Sequence, residues 1–261
     1  ELARGLAKRI YDELGIPCYC YEAAAFKPER KNLAVCRAGE YEALPEKIAD
    51  PAKAPDFGPK EYNETVAKSG AINVGARDFL VAVNYNLNTT STRRAMAIAF
   101  DVREKGRKMR EGGSLTGKVL KDENGKDRWQ PGTLKGCKAI GWYIDEYGIA
   151  QVSMNITDIK TTPLHVAYEE VSRAAAARGL RVTGAEIVGL VPKRVLMEAG
   201  KFYLEKQERS LGISDEEIMK IAVKSMSLDD LKPFNPHEKV IEYLMEDPEQ
   251  MAIKERLIRM T

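Results

Sequence analysis

Few side chains in this chain combine a suitable type with a suitable spacing for chemistry. The histidines, His165 and His237, titrate nearest neutrality. His165 falls in the first turn of an expected helix, beside Thr161 and Thr162. An imidazole there could take or give a proton during group transfer; the competing reading is a half-buried ring bonded to a loop carbonyl. His237 falls in the first turn of a capped helix, where a structural role is expected. Asn84 and Asn86 lie two residues apart in an apolar run, as do Ser153 and Asn155, with Gln151 just before them. On strands this spacing puts each set on one face. Amides on a buried sheet face cost free energy unless they are bonded, so they either bond each other or face a polar ligand. Arg77, Lys135 and Lys138 fall near the ends of the same strands. They could meet an anionic ligand, with solvated surface charge the default for each.

Other motifs lead nowhere. Gly112 to Lys118 has the spacing G-x-x-x-x-G-K, but Val119 stands where a phosphate-binding loop needs Ser or Thr. Asp56-Phe57-Gly58 spells a kinase triplet without any other kinase segment, so it reads as a corner before Pro59. No G-x-S-x-G elbow exists. Cys18, Cys20, Cys36 and Cys137 form no C-x-x-C pair, and two histidines are too few for a usual zinc site. No metal is expected, and the thiols suit a reduced, cytoplasmic protein. Across 261 residues, 41 Lys and Arg balance 39 Asp and Glu, a net charge of +2. That balance points to neither nucleic acid nor an anionic membrane, and no apolar run has the length of a membrane span.

The elements that would position these residues follow from periodicity. Leu2, Leu6, Ile10 and Leu14 mark an amphipathic helix ending at Gly15. It starts without a lead-in, which suggests that further sequence precedes Glu1. A strand is expected over 16–21 and a helix over 39–49. The Pro- and Gly-rich stretch 50–75 reads as a domain boundary. Then come a strand over 78–87, a helix over 91–108 and an excursion over 111–135 with a hairpin at Asn124-Gly125. Strands over 138–145 and 150–157, a helix over 163–178 capped by Thr162 with Pro163 at its first position, and a strand over 181–191 follow. This β-α-β-β-α-β order is that of a ferredoxin-like sandwich. Helices are expected over 192–207, 214–225 and 236–246, then a charged amphipathic extension over 248–261. The fold class is therefore α+β: two ferredoxin-like βαββαβ lobes, the first incomplete, with C-terminal helices. The expected domains are 1–76, the tail of the first lobe with a linker; 77–191, the second lobe; and 192–261, a helical extension.

Several blocks carry a resemblance: RAGEYEALPEKI (37–48), APDFGP (54–59), GARDFLVAVNYNL (75–87), IGWYIDEYGIAQVSMNITD (140–158), AYEE (167–170), EIVGLVP (186–192), FYLEK (202–206) and FNPHEKVIEYL (234–244). In this order they resemble glutamate formiminotransferase, the folate-dependent family of histidine breakdown. The resemblance implies transfer of a formimino group from N-formiminoglutamate to N5 of tetrahydrofolate, the co-substrate, in a tunnel between two lobes. It implies that the loop beginning at DFGP lies along the folate, which assigns Gly58 and Pro59, and after them Lys60, Glu61, Tyr62 and Asn63. A homodimer is implied as well. The family's general acid/base is a histidine in an H-P-R-x-G-like segment upstream of everything in this chain, and neither His165 nor His237 occupies it. The competing functions are a folate-binding paralogue without turnover and a structural or interaction protein.

Strand geometry and charge suggest ligand roles beyond the resemblance. Asn84, Asn86, Ser153 and Asn155 could serve the folate ring edge or formiminoglutamate, and Arg77 and Lys135 the carboxylates. Replacing Asn86 by Leu is expected to weaken folate binding without unfolding the protein.

Overall fold

The computed structural model of the chain describes residues 1–113 and 117–246, so the extension expected over 248–261 lies outside the described residues. The chain divides into two compact units, Glu1–Asp78 and one beginning at Phe79. Among the described residues no helix is long and apolar enough to cross a membrane.

Unit 1 opens with α1, Leu2–Leu14. It packs through Ala3, Ala7 and Ile10 on Cys18, Cys20 and Val74. This corrects the expected stripe, because Leu2, Leu6 and Leu14 are exposed. Both stripes have helical spacing, and small residues let the helix approach a sheet that is only two strands wide. Strand β1, Cys18–Glu22, pairs in parallel with β2, Ile72–Ala76, from Cys18 opposite Ile72 to Glu22 opposite Ala76. A parallel pair requires a long crossover. Here it contains a 3-10 turn at Pro28–Lys31 and three short helices: α2, Leu33–Arg37; α3, Leu44–Ala49; and α4, Glu64–Ser69. The stretch 50–75, read as a boundary, thus holds a helix and a strand. The helix expected over 39–49 starts only at Leu44, with Pro45 in its first turn, where a missing N–H costs nothing.

The DFG triplet has a structural meaning. The Asp56 Oδ1 lies 2.7 Å from Arg30 Nη1, and both side chains are about 5% exposed (5% and 6%). Its Oδ2 accepts the Cys20 N–H at 2.7 Å, and Arg30 Nη2 donates to the Ala54 carbonyl at 2.5 Å. One carboxylate therefore ties the crossover to the backbone of β1.

Unit 2 is built on strands β3, Val81–Leu87; β6, Cys137–Ile144; β7, Ile149–Ile156; and β8, Val182–Val188. They lie in the order β6-β7-β3-β8, with every neighbouring pair antiparallel. Helix α5, Thr92–Val102, packs on β6 and β7, and α6, Leu164–Ala176, on β3 and β8. The Ser91 hydroxyl accepts the Arg94 N–H and caps α5. The helix ends short of residue 108; Arg107–Lys108 instead form β4, paired with β5, Trp129–Gln130. Within the excursion, Asp122 accepts from the N–H groups of Asn124 and Lys126 at 2.9 Å each, and Lys121 bridges Asp127, so the hairpin forms as expected. Thr162 does not cap α6: Pro163 takes the cap position, and the Thr162 hydroxyl donates to the Lys135 carbonyl at 2.7 Å.

After β8 come α7, Lys193–Lys206; α8, Asp215–Ser225, capped by Ser214; α9, Pro236–Lys239, capped by Asn235; and α10, Ile241–Glu246. The single helix expected over 236–246 breaks at Val240, which bridges in parallel with Val191. The Val191 N–H donates to the Lys239 carbonyl and its carbonyl accepts from Ile241, which interrupts the helical ladder.

Removing one partner from a buried ion pair strands the other charge. We therefore expect Asp56→Ala to lower stability by about 3–5 kcal/mol, measured by urea unfolding; a loss under about 1 kcal/mol, as for an exposed pair, would show that the pair does not hold the crossover.

Candidate functional site

Alternation along the unit 2 strands sorts their side chains onto two faces. Val81, Val83, Tyr85 and Leu87 of β3, with Ala150, Val152, Met154 and Ile156 of β7, are buried in the core shared with α5 and α6. The intervening residues therefore emerge on the opposite face, where the register aligns them in rows. One row runs Lys138, Asn155, Ala82, Val188; the next Ile140, Ser153, Asn84, Glu186; the third Trp142, Gln151, Asn86, Gly184. The structure thus brings Asn84, Asn86, Ser153 and Asn155 onto one face, as expected.

The face is polar at its centre and mixed at its flanks, where Lys138 and Glu186 stand beside apolar side chains. Ile140, Trp142 and Val188 are exposed, Trp142 by 39%. Asn84, Asn86 and Gln151 are buried, and Asn155 is exposed. Asn86 is bonded, though not to Asn84. Its Oδ1 accepts from Gln151 Nε2 at 2.7 Å, and its Nδ2 donates to Asp230 Oδ2 at 2.8 Å, which also accepts from the Thr183 hydroxyl at 3.3 Å. The chain of amides ends in an orphan: Gln151 Oε1 is buried and has no hydrogen-bond partner among the described residues.

Asp230 reaches Asn86 because Gly184 has no side chain. A Cβ there would lie 2.4 Å from the Asp230 Cβ and 2.7 Å from the Ser227 carbonyl. The turn at 227–230 lies against β8, with the Ala185 N–H donating to the Ser227 carbonyl at 3.1 Å, and Ser227 adopts φ +46°. Sequence reasoning missed Asp230. It lies 144 residues from Asn86, in a segment that read as a connector. Gln151 was signalled by its alternation with Ser153 and Asn155.

The other candidates lie elsewhere. Gly58 to Asn63 form a loop of unit 1. A Cβ on Gly58 would lie 2.5 Å from Pro55 Cγ, so the glycine lets the chain turn against that proline. Pro59 is half-buried; Lys60 and Glu61 are exposed. The Tyr62 hydroxyl lies 3.4 Å from that of Tyr41, which donates to the Ala67 carbonyl. Asn63 caps α4, accepting the Val66 N–H at 3.0 Å. Arg77 is exposed just past β2, and Lys135 is exposed just before β6. His165 lies on α6, the helical side of the sheet, buried and stacked on Phe202 of α7 at 4.5 Å. Its Nδ1 has no partner. Burial holds its imidazole below the ordinary range, against a smaller opposing pull from Glu169. The four cysteines are free and buried, and burial raises each thiol.

Comparison with known proteins adds a separate line of evidence. The profile of the family described as "Formiminotransferase domain" matches residues 82–246, and that of "Formiminotransferase domain, N-terminal subdomain" matches residues 1–77. The chain is similar to the formimidoyltransferase-cyclodeaminase of Gallus gallus, 43% identical over 94% of the chain and 41% of that protein. The corresponding Sus scrofa protein is 43% identical over 98% of the chain and 43% of its own length. A glutamate formimidoyltransferase of Thermoplasma acidophilum is 38% identical over 78% of the chain and 59% of its own length. The chain thus spans about two-fifths of the two animal relatives.

The bonding of Asn86 changes what its replacement should do. Asn86→Leu would strand the buried Gln151 amide, so a stability loss of about 1–3 kcal/mol is expected in urea unfolding; unchanged stability would show that the network is not maintained in solution. For His165 the folded pKa is depressed, so the unfolded state binds the proton more readily. The His165 contribution is fully present above about pH 6.5, the unfolded value, and is lost as pH falls below it. His165→Phe should reduce the stability difference between about pH 7.5 and 5.5; an identical difference in both proteins would contradict the assignment.

Proposed function

This chain belongs to the formiminotransferase family, and on that premise we propose that it binds tetrahydrofolate and N-formiminoglutamate for transfer of the formimino group to N5, with release of glutamate. The observation that carries the reading is the buried, unpartnered Gln151 Oε1, on the sheet face and in register with the exposed Trp142. The pyrimidine ring of a reduced pterin is flat and carries N–H groups along its edge. An indole offers it a stacking surface, and an unpaired amide oxygen offers it an acceptor.

In this reading the other residues of the face divide the polar work. Asn86, bonded at its oxygen by Gln151 and at its nitrogen to Asp230, fixes the Gln151 rotamer and does not itself meet ligand. Asn84 and Ser153, adjacent in the middle row, serve the ring edge or the formimino group. Lys138 at the head of the first row and Lys135 just before β6 supply cations for carboxylates, and Arg77 of unit 1 is a separate candidate for the same chemistry. Gly58, Pro59, Lys60, Glu61, Tyr62 and Asn63 form the loop that the family resemblance places along the folate.

Attack by N5 on the formimino carbon forms a C–N bond and a tetrahedral centre. A proton then leaves N5, another reaches the glutamate nitrogen, and the bond to that nitrogen breaks. Proton transfer of this kind contributes typically 10²–10⁴-fold. We assign it to neither histidine of this chain, since His165 stacks on Phe202 of α7 and His237 is exposed in the first turn of the short helix that Asn235 caps. The strand order with α5 and α6 on one face supports a ferredoxin-like lobe for unit 2. A cytoplasmic homodimer belongs to the same proposal.

Equilibrium dialysis against tetrahydrofolate tests the reading. Trp142→Leu, at an exposed position, is expected to weaken binding about threefold to tenfold. Gln151→Met is expected to weaken it about tenfold. Folate affinity unchanged in both variants would place the ligand elsewhere.

A further inference from the structure

Unit 1 contains a group of buried polar atoms that the reading above leaves unused. Lys47 of α3 is 8% exposed. Its ammonium donates to the carbonyls of Cys36 at 2.5 Å and Ala38 at 3.4 Å and lies 4.9 Å from the centre of the Tyr19 ring. Among the described residues it is met by carbonyls and a ring rather than a carboxylate. Burial holds the ammonium below the ordinary lysine range. The nearby guanidinium of Arg30 is already committed to Asp56. Tyr19 is 2% exposed, and its hydroxyl has no partner. Burial pushes this phenol up to about 12, so it stays a donor. Asn73, opposite Tyr19 in the β1–β2 register, carries a buried Oδ1 that also has no partner.

These groups share one space. A cavity of about 210 Å³ is lined by Tyr19, Lys47 and Asn73, and the exposed ion pair of Arg37 with Glu40, at 3.2 Å, also stands on its wall. A neighbouring cavity of about 470 Å³ is lined by Tyr19 and Lys47 again, and the carboxylates on its wall, Glu29 and Glu46, belong to exposed residues. Buried polar groups are nearly always satisfied, and each exception asks for an explanation. Glu40, the carboxylate on the wall of the smaller cavity, is exposed and paired with Arg37, so the buried Lys47 ammonium has only carbonyls and a ring in direct contact among the described residues. Such a cation and a hydroxyl without an acceptor call for an anionic acceptor. An amide oxygen without a donor calls for an N–H.

We propose that the smaller cavity is a binding site for small carboxylates, with Lys47 and Tyr19 holding the carboxylate and Asn73 accepting from an N–H on ligands that carry one. Every residue of this site lies in unit 1, and none belongs to the rows of the unit 2 sheet, so the site is independent of the folate reading.

The test uses the full chain and acetate as probe, against chloride at matched ionic strength. The NMR resonance of the Lys47 ε-methylene, identified by its loss in Lys47→Met or Lys47→Arg, is expected to shift saturably with acetate and not with chloride. N-acetylglycine, which adds an N–H, should bind about threefold to tenfold more tightly than acetate. Tyr19→Phe should weaken acetate binding about tenfold. A resonance that acetate leaves in place, or that chloride moves equally, overturns the proposal, as does an acetate affinity unchanged in Tyr19→Phe. The wild-type titration decides the matter even if a Lys47 variant fails to fold.

Discussion

Period-two alternation along β3, a strand paired on both edges, is the constraint from which unit 2 follows. Val81, Val83, Tyr85 and Leu87 are fully buried against the helices. Burying each such side chain contributes roughly 1.5–3 kcal/mol. A slip of one residue would turn all of them away from the helices and put the asparagines into the apolar core, so the register is strongly specified. Once β3 is seated, the antiparallel ladders on either side place Ser153, Gln151 and Glu186 beside Asn84 and Asn86 without further choice. The polar rows are thus a consequence of where the apolar side chains must go.

That consequence has a cost, which the molecule meets in part. Amides buried on a sheet face need partners, and a third segment supplies one. The turn at 227–230 lies on β8 over Gly184 and brings Asp230 to Asn86. Ser227 adopts a left-handed conformation there, a state that costs of order 1–3 kcal/mol for a residue with a side chain. The backbone bond to Ala185 and the Asp230 bonds to Asn86 and Thr183 offset it. Asn86 ends bonded at both its oxygen and its nitrogen, while the Gln151 Oε1 is left without a partner among the described residues. The distinction separates the residue that positions from the residue that can bind.

Unit 1 solves a different problem. Its sheet has two strands and its crossover helices have five or six residues each. Such elements have little stability of their own. Buried charge compensates: Asp56 joins Arg30 to the backbone of β1, and Lys47 bonds the Cys36 and Ala38 carbonyls at the C-terminal end of α2. Apolar packing sets the geometry of unit 2, whereas ionic and backbone hydrogen bonds hold the crossover of unit 1 in place.

Much of this was legible in one dimension. The blocks from Arg37 to Leu244 pointed to the family, and the alternation of Asn84 with Asn86 and of Ser153 with Asn155 placed them on strand faces, because both signals are local in the chain. The strand β2 was not legible: Ile72 to Ala76 lies among prolines and glycines, and only pairing with β1 makes it a strand. Nor was the buried face of α1, since two apolar stripes had equal spacing and the width of the sheet chose between them. The break at Val240 came from a bridge to Val191. The sequence by itself determined the family, the order of elements in unit 2 and the face on which its amides emerge. Tertiary structure alone decided which amide is satisfied and which is left open, because that depends on Asp230, a residue brought to Asn86 across 144 positions by a contact with no periodicity to announce it.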